Sequence, residues 1–76
     1  MTQFEEKLNK LPGSFRKRIS GIRDYYDLNI TKKDNLWIMN YHSREHEYII
    51  LEVSHESLQA VVDTMLSELK KIRVSV

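Results

Sequence analysis

Two histidines, His42 and His46, have the spacing most suggestive of chemistry in this 76-residue chain. Four residues apart on a helix, two imidazoles share one face and can bind a metal, but the surrounding pattern predicts a loop between strands. A catalytic zinc site takes three protein ligands, and neither Glu45 nor Glu47 is fixed as a third. The chain has no cysteine, which excludes disulfides and thiolate metal sites. We therefore expect two solvated loop histidines, no metal and no cofactor.

The sequence supports a hydrolytic site no better than it supports a metal site. Ser43, His42 and Glu45 could be drawn as nucleophile, base and acid, but any short polar loop offers such a set, and nothing orients it. The chain has only two glycines, and neither stands in a G-x-G phosphate-binding pattern. So small a domain also has little room for a pocket of even about 300 Å³. We predict a protein that is not an enzyme and has no small-molecule substrate.

A basic cluster, Arg16, Lys17, Arg18 and Arg23, is the clearest charged feature, because no acid interrupts residues 15–23. A helix, a Pro-Gly turn and a second helix carrying these bases would resemble helix-turn-helix geometry. On that second helix the bases would flank the apolar stripe, where long side chains commonly cover buried surface with their methylene stems. Four bases in a chain of net charge +1 predict weak, salt-sensitive binding of nucleic acid. An acidic protein could use the same cluster.

The elements that position these residues follow from apolar periodicity. Thr2 begins a capping box (T-x-x-E) for a short first helix, which ends at Pro12. A second helix is predicted from four apolar residues at helical spacing: Phe15, Ile19, Ile22 and Tyr26. Gly21 weakens this helix by up to about 1 kcal/mol relative to alanine.

From about residue 27 the period changes from 3.6 to 2, which predicts strands. A short strand contains Leu28 and Ile30, a second spans residues 36–41 and a third spans residues 47–53. Their short connections predict an antiparallel meander. Ser54 then caps a helix over roughly residues 55–72, with one wide apolar stripe. The stripe consists of Leu58, Val61, Val62, Met65, Leu66, Leu69 and Ile72.

The predicted fold is an α+β domain of order α-α-β-β-β-α, with the long C-terminal helix packed on the sheet. Residues 1–76 form a single domain, because the chain is too short for two. Such a small chain buries only about 60% of its unfolded surface, so its stability margin is thin.

Both faces of the predicted sheet are apolar. A loop with an even number of residues, Ser43–His46, pairs Tyr41 with Tyr48 and Met39 with Ile50. It creates an aliphatic face, the expected bed for the last helix: Leu36, Ile38, Ile49, Leu51 and Val53. The other face is aromatic and too apolar for water: Trp37, Met39, Tyr41, Tyr48 and Ile50. Either the N-terminal helices cover this second face, or part of it stays open for a homodimer or another protein. A loop with an odd number of residues, or a β-bulge, would change which residues of the two strands share each face.

We therefore predict a small interaction module, an adaptor or inhibitor, that binds a protein partner or itself through the aromatic face. The alternative is a small nucleic-acid-binding regulator built on residues 14–26. The short chain, rich in Lys, Ile, Asn and Glu, is typical of accessory proteins of phages or mobile elements. No apolar run approaches the roughly 18 residues needed to span a bilayer, and the acidic N-terminus is unlike a signal peptide. These features predict a soluble cytoplasmic protein.

Overall fold

The computed structural model describes residues 2–74, which form two helices and one four-stranded antiparallel sheet. In chain order the elements are α1 (Gln3–Lys10), β1 (Ser14–Ile19), β2 (Ile22–Lys33), β3 (Leu36–Ser43), β4 (Ile49–His55) and α2 (Leu58–Lys71). The strands lie side by side in chain order, as a meander. The predicted α+β class, antiparallel sheet and packed C-terminal helix are confirmed. The predicted count of two N-terminal helices and three strands is wrong.

The helix α1 begins as predicted from the capping box. The side chain of Thr2 accepts a 3.1 Å hydrogen bond from the backbone N–H of Glu5, which satisfies one free donor of the first turn. Lys7 in α1 forms a 2.9 Å ion pair with Asp63 in α2. The two helices therefore lie in the same layer, on one side of the sheet.

Residues 14–26, predicted as a second helix, form a hairpin of β1 and β2 instead. Its two-residue turn consists of Ser20 and Gly21, with φ of 53° and 81°. Two consecutive positive φ values match the twist of adjacent antiparallel strands, which is why such turns favour hairpins. Phe15 lies opposite Tyr26 in the hairpin, and Ile19 lies opposite Ile22. The apolar residues therefore share one face of a sheet.

The pairing of β3 with β4 also differs from the prediction. Met39 lies opposite Val53 and Tyr41 opposite Leu51, with a register shift between Tyr41 and His42. The predicted partners of Met39 and Tyr41 were Ile50 and Tyr48. Because successive side chains of a strand point to opposite faces, this odd change in pairing places Leu51 and Val53 on the same face as Met39 and Tyr41.

The helix α2 covers Met39 and Tyr41 of the predicted aromatic face together with Leu51 and Val53 of the predicted aliphatic face. It begins after the N-cap Ser57 rather than Ser54, and its span agrees closely with the predicted 55–72. Its stripe contributes five buried residues to the core: Val61, Val62, Met65, Leu66 and Leu69. They form one cluster with Tyr26, Met39 and Tyr41. The cluster also includes Leu11.

The other sheet face carries no described helix, and it holds most of the aliphatic residues that were predicted to bed α2. Leu36 and Ile49 are exposed there, while Leu51 and Val53 pack against the core. The prediction that Ile38 and Ile49 contact the stripe of α2 is therefore wrong. Residues 2–74 thus form one helical layer on one sheet, and none of their helices covers the second sheet face.

Candidate nucleic-acid interface

The residues of the predicted aromatic interface lie largely in the core. Met39 and Tyr41 are 0% exposed beneath α2, and Trp37 and Ile50 are half-buried. Tyr48 is 41% exposed at the end of the β3–β4 loop. The sequence left open whether N-terminal helices or a second molecule cover this face. In the described chain α2 covers it.

The predicted basic residues separate onto two faces of the β1–β2 hairpin. Arg16 and Arg18 are exposed on the uncovered sheet face, whereas Lys17 between them is half-buried on the helix side. Across the hairpin, Arg23 lies opposite Arg18, and Tyr25 lies opposite Arg16. Three of the four predicted bases therefore share one surface with a tyrosine.

Sequence reasoning missed Tyr25 and its second neighbour, Arg44. The backbone N–H of Arg44 donates a 2.8 Å hydrogen bond to the carbonyl of Tyr25, which places Arg44 beside it at the end of β3. The guanidinium carbon of Arg44 lies 4.8 Å from the centre of the Tyr25 ring. Only the strand alternation of residues 22–26 could have revealed Tyr25, because its neighbour Tyr26 points into the core.

We call the surface formed by five of these residues the arginine patch: Arg16, Arg18, Arg23, Tyr25 and Arg44. Its one closely bound acid is Asp27, which accepts hydrogen bonds from Arg44 at 2.8 and 3.1 Å. These bonds lower the pKa of the Asp27 carboxyl and raise the pKa of the Arg44 guanidinium. Among the described residues, the ion pairs do not involve the other three arginines. The patch thus carries three uncompensated positive charges.

A buried polar pair supports the patch from the helix side of the sheet. Asp24 is 1% exposed and accepts hydrogen bonds from the hydroxyl of Ser43 and, at 2.7 Å, from the backbone N–H of Tyr25. The Ser43 hydroxyl in turn accepts a 2.8 Å bond from the backbone N–H of His46. The hydrogen bond from Ser43 lowers the pKa of Asp24, although burial acts in the opposite direction. This pair ties the β3–β4 loop, which carries Arg44, to β2.

The loop residues considered for chemistry have structural contacts instead. His42 Nδ1 lies 2.7 Å from the carbonyl oxygen of Ser43, not from its hydroxyl. The His46 ring stacks on Tyr48 with 6.3 Å between centres. His55 belongs to β4 rather than to the last helix, and its Nε2 lies 3.1 Å from the hydroxyl of Thr64. Within residues 2–74, no three potential ligands cluster in a way that could hold a metal ion.

A second basic surface lies between the helices, on the side opposite the arginine patch. It is an open groove of about 280 Å³, lined by Lys7, Lys10, Asp63, Leu66, Ser67 and Lys70. The ion pair of Lys7 with Asp63 offsets one of its three positive charges. The groove contains no aromatic side chain, in contrast to the arginine patch.

Two further observations bear on function. Neither of the described helices has the length and apolar character needed to cross a membrane. The chain matches no protein-family model, no curated protein and no solved structure, so its function must be argued from its geometry.

Proposed function

We propose that this protein is a non-enzymatic nucleic-acid-binding module that holds a phosphate backbone on the arginine patch. One observation carries the proposal: Arg16, Arg18 and Arg23 lie together on one exposed sheet face, and no carboxylate within residues 2–74 forms an ion pair with them. A guanidinium offers a fork of donors that matches the oxygens of a phosphate. Neutralising phosphates releases counterions, which supplies affinity independent of sequence.

The composition of the patch favours nucleic acid over an acidic protein surface. Tyr25 is 39% exposed at its centre, with Arg16 and Arg44 on either side. Bases stack on tyrosine rings and on guanidinium planes, whereas the carboxylates of an acidic protein do not stack on a ring. An acidic protein remains the competing ligand in the test.

Binding of a protein through the aromatic sheet face has less support. Met39 and Tyr41 present no accessible surface, and a partner could reach them only if α2 left the sheet. The surface that stays accessible there belongs to Tyr48 and, in part, to Trp37. These two residues occupy different ends of the sheet and do not form one continuous interface.

The proposal is tested by fluorescence anisotropy with labelled oligonucleotides at low salt. We expect binding that weakens with salt, with a log–log slope of about −2 for three single-strand phosphate contacts. The double variant Arg16→Ala/Arg18→Ala should weaken binding to all sequences and reduce that slope by more than half, because two of three contacts are lost.

Two single variants provide matched controls. Lys17→Ala removes a charge from the same strand but from its other face, and Lys70→Ala removes one from the groove between the helices. Both should retain binding. If the wild-type chain binds no oligonucleotide at low salt, or if Lys70→Ala weakens binding as much as the double variant does, the arginine patch is not the site.

A further inference from the structure

The guanidinium of Arg44 lies over the ring of Tyr25 at the surface of the arginine patch, and we call this pair of side chains the stack. The guanidinium carbon is 4.8 Å from the ring centre. Tyr25 is 39% exposed, and the side chain of Arg44 is 51% exposed. The stack is therefore accessible at an open sheet face, where a further planar group could extend it.

Asp27 determines what Arg44 can do in this stack. Both carboxylate oxygens of Asp27 accept hydrogen bonds from Arg44, at 2.8 and 3.1 Å, which fixes the plane of the guanidinium. The carboxylate also offsets the charge of Arg44. Arg44 is consequently better suited to present a flat surface than to bind a phosphate. That distinguishes it from the three unpaired arginines.

The unpaired arginines surround the stack at distances fixed by sheet geometry. Arg16 lies directly opposite Tyr25, about 5 Å away between backbones, and the pair of Arg18 and Arg23 lies about 7 Å further along the strands. A base resting on the stack would therefore have its flanking phosphates within reach of long, flexible cationic side chains. A planar site beside several phosphate sites matches an extended nucleotide chain.

We infer that the ligand is a single-stranded nucleic acid, one of whose unpaired bases stacks on the Tyr25–Arg44 pair while Arg16, Arg18 and Arg23 bind the adjoining phosphates. This inference rests on the proposed function and adds the class of nucleic acid. A duplex keeps its base faces stacked inside, so it would contact the arginines and leave the tyrosine ring unused. Stacking tolerates any base, so little sequence preference follows.

The test compares a labelled mixed-sequence strand, as DNA and as RNA, with the matching duplex, with heparin and with polyglutamate, which represents an acidic protein. We expect the single strand to bind at least tenfold more tightly than the duplex. Tyr25→Leu should weaken single-strand binding about tenfold and leave heparin binding unchanged, because only the base contact is lost. Tyr25→Phe and Tyr25→Trp retain a ring and should retain binding, which also controls for any effect of the leucine variant on folding.

The outcomes separate this inference from the proposed function. If the duplex binds as tightly as the single strand, or if Tyr25→Leu binds normally while Arg16→Ala/Arg18→Ala does not, the single-strand inference fails and the phosphate site stands. If the wild-type chain binds no nucleic acid, or binds polyglutamate more tightly, both fail. Tighter binding of RNA or of DNA identifies the source of the strand and supports the inference either way.

Discussion

The phenolic hydroxyl of Tyr41 donates a 2.7 Å hydrogen bond to the backbone carbonyl of Pro12. The bond joins β3 to the segment that follows α1, 29 residues away in the chain. The ring of Tyr41 also packs edge-on against Phe15, with 4.9 Å between ring centres. Tyr41 therefore connects three parts of the fold, and its side chain belongs to the core.

Tyr41→Phe should lower the free energy of unfolding by about 0.5–1.5 kcal/mol, because it removes the part-buried hydrogen bond to the carbonyl of Pro12. Tyr41→Ala should cost about 3–5 kcal/mol, enough to unfold much of so small a domain. Urea denaturation measures both effects. Tyr25→Phe is the matched control, since it removes an exposed hydroxyl. An unchanged urea midpoint in Tyr41→Phe would show that the bond to Pro12 contributes nothing.

The same tyrosine should make stability sensitive to alkali. Burial raises the pKa of Tyr41 to about 12, above the value of about 10 for a tyrosine in an unfolded chain. The folded state then retains a proton that the unfolded state loses, so this contribution is complete below about pH 10 and disappears as the pH rises through about 12. Burial and the hydrogen bond with Tyr48 also raise the pKa of Tyr26. Unfolding free energies should fall over this range, and less steeply in Tyr41→Phe. Equal slopes would contradict the assignment.

Asp24 should contribute to the loss of stability in acid. Its pKa is lowered in the folded state, chiefly by the hydrogen bond from Ser43. Its contribution is therefore present above the unfolded pKa of about 3.9 and is lost as the pH falls through the lower folded value. Asp24→Asn should flatten the fall in unfolding free energy below about pH 4. Asp34→Asn, which removes the same charge from a turn, controls for net charge. If the unfolding free energy of Asp24→Asn falls as steeply below about pH 4 as that of the wild type, Asp24 does not have this role.

The Ser20–Gly21 turn should control both stability and the placement of the patch. Gly21→Ala puts a side chain at a φ of 81° and should cost about 1 kcal/mol. Ser20→Asn should raise stability, because asparagine before glycine suits a turn with two positive φ values. Thermal melting measures both changes. If Gly21→Ala melts like the wild type, the turn does not have the observed conformation in solution.

The helix α2 and the antiparallel order of the three later strands were predictable because their signals are redundant. Seven apolar residues fall on one helical stripe, and no alternation of period 2 competes with them. The hairpin of β1 and β2 was not predicted, for a specific reason. Phe15 and Ile19 are four residues apart, and that spacing places two side chains on one face in a helix and in a strand alike. The Ser-Gly pair was the decisive signal, and we interpreted it as a weakened helix rather than a turn.

The sequence alone determined the α+β class, the antiparallel meander, the amphipathic C-terminal helix and the basic cluster, because each depends on local periodicity or charge. Tertiary structure decided which face of the sheet lies beneath α2. A single shift of register at Tyr41 and His42 places Leu51 and Val53 on the same face as Met39 and Tyr41, and no local pattern specifies that shift. Tertiary structure also decided which residues form the candidate site. Only the hairpin pairing places Arg16 opposite Tyr25, and only the β3–β4 loop brings Arg44 beside them. Contacts between residues distant in the chain have no signature in a single sequence, so the arginine patch is a property of the fold.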